Sequence, residues 1–193
     1  MSKVMSFDQL MIHYTAPSFC GIKPANLFSV SCTQFSNGNY REWEKIFTLK
    51  GLNSAFKKLQ NGRVVVLVYN RLWVSEIVSN QYVKEYLSLK GYSLQDDGSF
   101  ITQLMERLYH SSCFPHEIGI VLGYPLEDVI SFERFSGKQC KYCGIWKCYS
   151  DVENARFYEN KLRQCSYLCS KWFDLGYSVD QIVENYRKVS HVA

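Results

Sequence analysis

The run Val64–Tyr69, VVVLVY, constrains the fold of this chain more than any other stretch. It follows an Asn61-Gly62 turn signal and shows no polar alternation, so neither face is meant for water. A strand of this kind sits centrally, covered on both sides. Covering it takes a large apolar supply, and the chain has one: 47% hydrophobic residues, with fourteen Tyr and twelve Phe. Tyr and Phe are large core fillers, and Tyr keeps a polar tip for the rim. A length of 193 residues suits one domain over 1–193, able to bury roughly 70% of the surface its unfolded chain exposes.

The remaining elements follow from local signals. Leu27–Cys32 has the make-up of a first strand, and Ile145–Tyr149, after Gly144, that of a third. Ser6 and Gln9 form a capping box that opens a short helix to about Tyr14. Thr15–Asn26, with two prolines and a glycine, reads as a loop. Trp43, Ile46, Phe47, Leu52, Ala55, Phe56 and Leu59 recur at helical spacing, predicting a helix over Tyr40–Leu59. Further helices are expected over Leu72–Leu89 and Ser99–His110, and from Asp151 to Leu175 with Gly176 ending it. A second capping box, Ser178 with Gln181, opens the last one. The expected class is α+β: a small, about three-stranded mixed sheet with seven or eight helices around it. Residues 136–143 read as a flexible excursion.

Charge excludes little but points away from some partners. The net charge is +4, and Lys and Arg are scattered without a run of five. That is too weak for a nucleic-acid or membrane footprint. No segment approaches the roughly 18 apolar residues of a membrane span, and the N-terminus lacks a signal-peptide core. The chain therefore reads as cytoplasmic, where cysteines serve as thiols or metal ligands rather than disulfides.

The densest motif is Phe114–Val129, FPHEIGIVLGYPLEDV. Pro115 fits a first helical position, Gly123 a left-handed position past the helix end, and Pro125 the opening of a second helix. The result is a tight helix-turn-helix hairpin. Gly119, Gly123 and Val129 match the spacing of a DNA-binding version, with Ile118, Leu122 and Phe132 at apolar positions. The charges oppose that use. His116 to Glu133 contains Glu117, Glu127, Asp128 and Glu133 but no Lys or Arg, so nothing there supplies the phosphate contacts that dominate DNA affinity. Nucleic acid is not the expected partner, and the hairpin suits core docking or a regulatory protein–protein contact. His116 and Glu117 also offer acid–base chemistry, with Cys113 a dipole-activated thiol nearby. Ile120 stands where a zinc-protease HExxH pattern needs its second His. A capping His beside a dipole-complementing Glu explains the same pair without catalysis.

FPHEIGIVLGYPLEDV, together with APSFCGIKPANLF and GIWKCYSDVENA, resembles the uncharacterised bacterial proteins of domain of unknown function family 3793, found mostly in anaerobic, clostridia-like bacteria. The resemblance spans about His13 to Gly176. It implies no activity. Its pattern maps onto Pro17, Gly21, Lys23, Pro24, Asn26 and Leu27, then Tyr69, Arg71 and Arg107, the central motif, and Gly144, Trp146, Lys147 and Tyr149. Members more often carry T-L-A-G where this chain has Ser18-Phe19-Cys20-Gly21, and W-K-V-Y where Cys148 stands here.

Two constellations carry possible chemistry. Cys140 and Cys143 form a CxxC, and Cys165 and Cys169 share one face of the long helix after it. Together they are candidate structural-zinc ligands, although the gap departs from the usual zinc-ribbon spacing. Separate thiols are the simpler reading of them, and no cofactor is otherwise expected. Lys23, Arg71 and Lys147 flank the three expected strands. If the strand ends gather, these cations could bind an anionic small molecule, joined by His13, His116 and Glu117. The competing reading of each is a lone surface charge.

Overall fold

A computed structural model describes residues 5–94, 97–110 and 114–190, without the side chains at 97 and 110. Cys113 and His191 lie outside the described residues. The described chain runs α1 (Phe7–Phe19), β1 (Ala25–Ser31), α2 (Cys32–Asn37), α3 (Tyr40–Leu49), β2 (Asn53–Lys58), β3 (Arg63–Tyr69), α4 (Arg71–Ser79) and α5 (Gln81–Leu89). It continues with α6 (Asp97–His110), α7 (Ile118–Val121), α8 (Leu126–Arg134), β4 (Tyr142–Cys143), β5 (Lys147–Cys148), α9 (Val152–Asp174) and α10 (Val179–Ser190).

The VVVLVY run is β3, and it lies centrally in a sheet ordered β1-β3-β2. Both pairings are antiparallel, with Leu27 opposite Leu67 and Phe56 opposite Val66. The α+β class holds, while the sheet is wholly antiparallel rather than mixed. Alternate residues of β3 feed two separate cores. Val64, Val66 and Val68 pack with α1, α3, α9 and α10. Leu67 and Tyr69 pack with α4 to α8. The sheet is thus the middle layer of three.

Three expectations are corrected by this architecture. The segment expected as one helix over Tyr40–Leu59 is α3 followed by strand β2. Gly51, at φ +69°, ends the helix in a left-handed turn. Asn53–Lys58 then pairs along β3 and supplies an edge strand carrying Lys57 and Lys58, charges of the sort that guard an open edge. The expected third strand, Ile145–Tyr149, does not enter the main sheet. Only Lys147–Cys148 is extended, paired with Tyr142–Cys143 in a separate hairpin. The helix expected over Leu72–Leu89 is broken at Asn80, whose Oδ1 accepts from the Tyr82 and Val83 amides and starts α5 afresh.

Helix α1 outruns its expected end at Tyr14 and passes through Pro17 to Phe19. It stops in a Schellman turn, with Ile22 N bonded to Pro17 O at 2.9 Å and Gly21 N to Ser18 O at 3.1 Å. Gly21 supplies the required positive φ, +69°. The Ser6–Gln9 and Ser178–Gln181 capping boxes form as expected. Asp151 caps α9 through the Asn154 amide.

Replacing Leu67, fully buried in the middle of β3, by Ala removes contacts from the second core. The expected loss is about 2–5 kcal/mol, read from urea denaturation. A loss under about 1 kcal/mol would contradict a rigid central strand.

Candidate functional site

Lys23 lies three residues past Cys20, the C-cap of α1, at the mouth of β1. Its backbone is fixed on every side. Lys23 N reaches Pro17 O, and Ser18 Oγ donates to Lys23 O while accepting from Asn26 Nδ2 at 2.6 Å. Pro24 O accepts from Asn70 N at the end of β3. Pro24 also packs on Gly123, where an added Cβ would sit 2.8 Å from Pro24 Cγ. Gly123 therefore serves twice: it takes φ +80°, and it lets the α7–α8 hairpin close on Lys23-Pro24.

The Lys23 side chain runs inward and is only 6% exposed. Its Nζ lies 5.5 Å from the centroid of the Tyr124 ring. Among the described residues no carboxylate pairs with it. Desolvation lowers its pKa from 10.5 to about 8. The amine borders a cleft of 540 Å³ formed by α1, the start of β1, the hairpin, Ile145 and α9, a size suited to a small molecule. His13, Asn26, Arg163, Ser166 and Ser170 bring polar groups to it, and no Asp or Glu lines it among the described residues. His13 Nδ1 lies 3.3 Å from Ser170 Oγ. Burial lowers its pKa, so His13 brings a neutral imidazole to the cleft. Arg163 is partly neutralised by Glu159, 2.6 Å away.

Tyr124 lines both this cleft and a second one, and its ring stacks on Trp146, with centroids 5.0 Å apart and planes at 19°. The second cleft, 360 Å³, is mainly apolar and is lined by Phe114, His116, Phe132, Trp146 and Lys147 among others. Its one lysine is committed: Lys147 Nζ donates to Gly137 O at 2.6 Å.

Two buried carboxylates hold the loop between the clefts. Asp128 accepts from Trp146 Nε1 at 2.7 Å, Tyr149 N at 2.8 Å and Ser150 N at 2.9 Å. Burial alone would raise its pKa, but these donors hold it below the ordinary carboxylate value. Glu159 accepts from Tyr142 Oη, Ile145 N and Arg163. Burial opposes ionisation there too, and the three donors again keep the carboxylate charged. An added Cβ on Gly144 would run into Glu159 Oε2, so the loop passes Glu159 with no room for a side chain.

The expected anion-binding set is therefore split. Lys23 and His13 share one cleft, His116 and Lys147 the other, and Arg71 lies exposed at the start of α4, lining neither. His116 and Glu117 diverge. His116 meets the Phe132 ring edge-on at 4.7 Å, whereas Glu117 is buried within electrostatic reach of Tyr86 and Tyr92. Pro115–Glu117 form turns ahead of a four-residue α7 rather than the start of a longer helix. Gly119 does mark the helix crossing, with Val129 Cγ2 2.9 Å from where a Cβ would stand. Asp128 in the α8 first turn points into the protein, and Glu127 is exposed.

The cysteines also regroup. Cys165 and Cys169 meet Cys20, not Cys140 and Cys143. The Sγ atoms of Cys20 and Cys169 are 3.8 Å apart, and those of Cys165 and Cys169 4.0 Å. Hydrogen bonds from Cys165 and Cys20 lower the pKa of Cys169, while sharing a proton with its neighbours raises that of Cys165. Cys143 is exposed on the small hairpin.

The family described as Protein of unknown function (DUF3793) matches residues 11–183. The chain belongs to this family. No curated protein and no solved structure matches it. The match starts at Met11 on α1 and ends at Val183 on α10, so it takes in both clefts and all three members of the thiol cluster. Among the described residues, no helix is long and apolar enough to cross a membrane.

Asp128→Ala would leave the Trp146, Tyr149 and Ser150 donors without their acceptor. The expected cost is about 3 kcal/mol in urea denaturation. A variant as stable as the parent would show that the loop is held by other contacts.

Proposed function

We propose that the chain binds a small anionic molecule, a carboxylate or a phosphate monoester, in the cleft around Lys23. What supports the reading is Lys23 itself: a buried amine that, among the described residues, has no countercharge, on a residue lining a cleft that no described acid lines. Burying an unpaired ammonium is costly. The drop from 10.5 to about 8 corresponds to roughly 3 kcal/mol. An anion in the cleft offsets that cost by supplying the missing partner, with Asn26, Ser166, Ser170 and neutral His13 as hydrogen-bonding neighbours and Arg163 as a second cation. His116, Glu117, Arg71 and Lys147 have no part in this site.

The sign of the pH dependence follows. Lys23 has a lower pKa folded than unfolded, so its burial penalty is full below pH 8. The penalty disappears as pH rises from 8 to 10.5, where the amine is neutral in both states. Lys23→Met should therefore stabilise the protein at pH 7 by up to about 3 kcal/mol, with the gain shrinking above pH 8. The same variant should lose anion binding. Binding is measured by isothermal titration with inorganic phosphate and with succinate. Succinate affinity should be flat from pH 6.5 to 7.5, then weaken roughly tenfold per pH unit above 8. Equal binding by the parent and Lys23→Met, or no binding of either anion by the parent, would defeat the proposal. Mass spectrometry of the native protein identifies any co-purified anion.

A further inference from the structure

The thiol cluster on the far side of the α1–α9 contact is a second candidate centre, independent of the anion cleft. Cys20 is the C-cap of α1, and Cys165 and Cys169 lie one turn apart on α9. All three sulfurs lie within 4.8 Å of one another. Cys165 and Cys169 are fully buried, in the apolar core that also holds Ile182, Val183 and Tyr186. Cys20 is partly exposed, which leaves one corner of the triangle open to solvent. Buried cysteines often act only as small apolar fillers. Filling a core, however, does not require three sulfurs from two different helices to gather within 4.8 Å of one another.

The spacing is that of a ligand set. With metal–sulfur bonds of about 2.3 Å, three sulfurs arranged trigonally around one ion stand about 4.0 Å apart. Two of the three pairs here are 3.8 and 4.0 Å apart, and the third lies within 4.8 Å. The donor count selects the ion. Closed structural zinc sites use four ligands. Among the described residues, no His, Asp, Glu or further Cys joins the three thiols. Three soft thiolates without a fourth donor suit a soft monovalent cation, and such ligands select Cu(I).

We propose that Cys20, Cys165 and Cys169 form a three-coordinate thiolate site for Cu(I). Binding involves no electron transfer. Each ligating thiol gives its proton to solvent as its sulfur bonds the ion. The Arg187 guanidinium, within electrostatic reach of Cys20, offsets part of the negative charge that results. The ion enters past Cys20, and once bound it ties the end of α1 to the middle of α9.

The test uses the reduced full-length protein under anaerobic conditions, titrated with Cu(I) against a chromogenic Cu(I) chelator. One equivalent per chain should be retained, with thiolate-to-copper absorption in the ultraviolet and three sulfur neighbours in X-ray absorption. Cys20→Ser changes the partly exposed corner, and circular dichroism checks its fold. It should weaken retention by more than the roughly 100-fold typical of losing a ligand's hydrogen-bond partner. The double variant Cys140→Ser, Cys143→Ser should retain copper like the parent. Copper lost to the chelator by the parent, retention unchanged in Cys20→Ser, or retention abolished by the Cys140/Cys143 changes would each overturn the site. So would tighter four-coordinate binding of Zn(II). If Cys20→Ser does not fold, the sulfur count in the parent decides: three sulfurs support the site and two refute it.

Discussion

Two-sided burial of β3 is the constraint from which the rest of the structure follows. Val66 and Leu67 are both fully buried, yet they point into different cores. A three-stranded sheet is narrow, so each face needs its own layer of helices to exclude water. Once both faces are covered, a cleft that draws on both layers forms where strands end and helices from the two layers meet. That place is the start of β1, beside the end of β3, where Pro24 O receives the Asn70 amide. Lys23 stands there, between α1 of one layer and the α7–α8 hairpin of the other.

The opening is shaped by side chains that bridge layers. Tyr124, from the hairpin, meets both Lys23 and Trp146. Trp146 is fixed by Asp128, and its loop is fixed again by Glu159 on α9. Tyr158 on α9 closes the ring of contacts by donating to Ile22 O, one residue before Lys23. The hairpin, the 141–150 loop, α9 and the α1 turn thus hold one another through polar bonds that burial protects from competition by water. The two carboxylates act as structural anchors. Their charge is stabilised by amide, indole, phenol and guanidinium donors, and neither lines the Lys23 cleft.

Local chemistry was legible in the sequence, and long-range pairing was not. Both capping boxes, the Asp151 cap and the central position of β3 follow from signals a few residues long. The β2 strand was hidden because Leu52, Ala55, Phe56 and Leu59 satisfy a helical period as well as an edge strand's half-burial. Only the left-handed Gly51 separates the two readings. Asp128 reads as a dipole-complementing acid in a first turn, which it is, but its partners Tyr149 and Ser150 lie 21 and 22 residues away. Lys23 stood out as a cation inside an apolar signature. Its burial depends on the hairpin folding back over Pro24, about a hundred residues later in the chain. The Cys20–Cys169 contact spans 149 positions, and Cys140-x-x-Cys143 offered a nearer but unrelated pairing.

Helix α9 presents two different sets of side chains on neighbouring faces. Ser166 and Ser170 border the Lys23 cleft, while Cys165 and Cys169, each one residue earlier, turn toward Cys20. One residue is about 100° of helix rotation, enough to move a side chain from the cleft to the core. Helix α1 repeats the division: His13 and Pro17 border the cleft, and Cys20 joins the thiols. The α1–α9 contact is therefore polar along one edge and sulfur-rich along the other, where Cys20 alone is partly exposed. Any force that draws Cys20 toward Cys165 and Cys169 acts on the same turn that presents Lys23, because the Pro17 carbonyl holds the Ile22 and Lys23 amides together. The Lys23 cleft and the thiol cluster are thus joined through four residues, Cys20 to Lys23, that form a single turn.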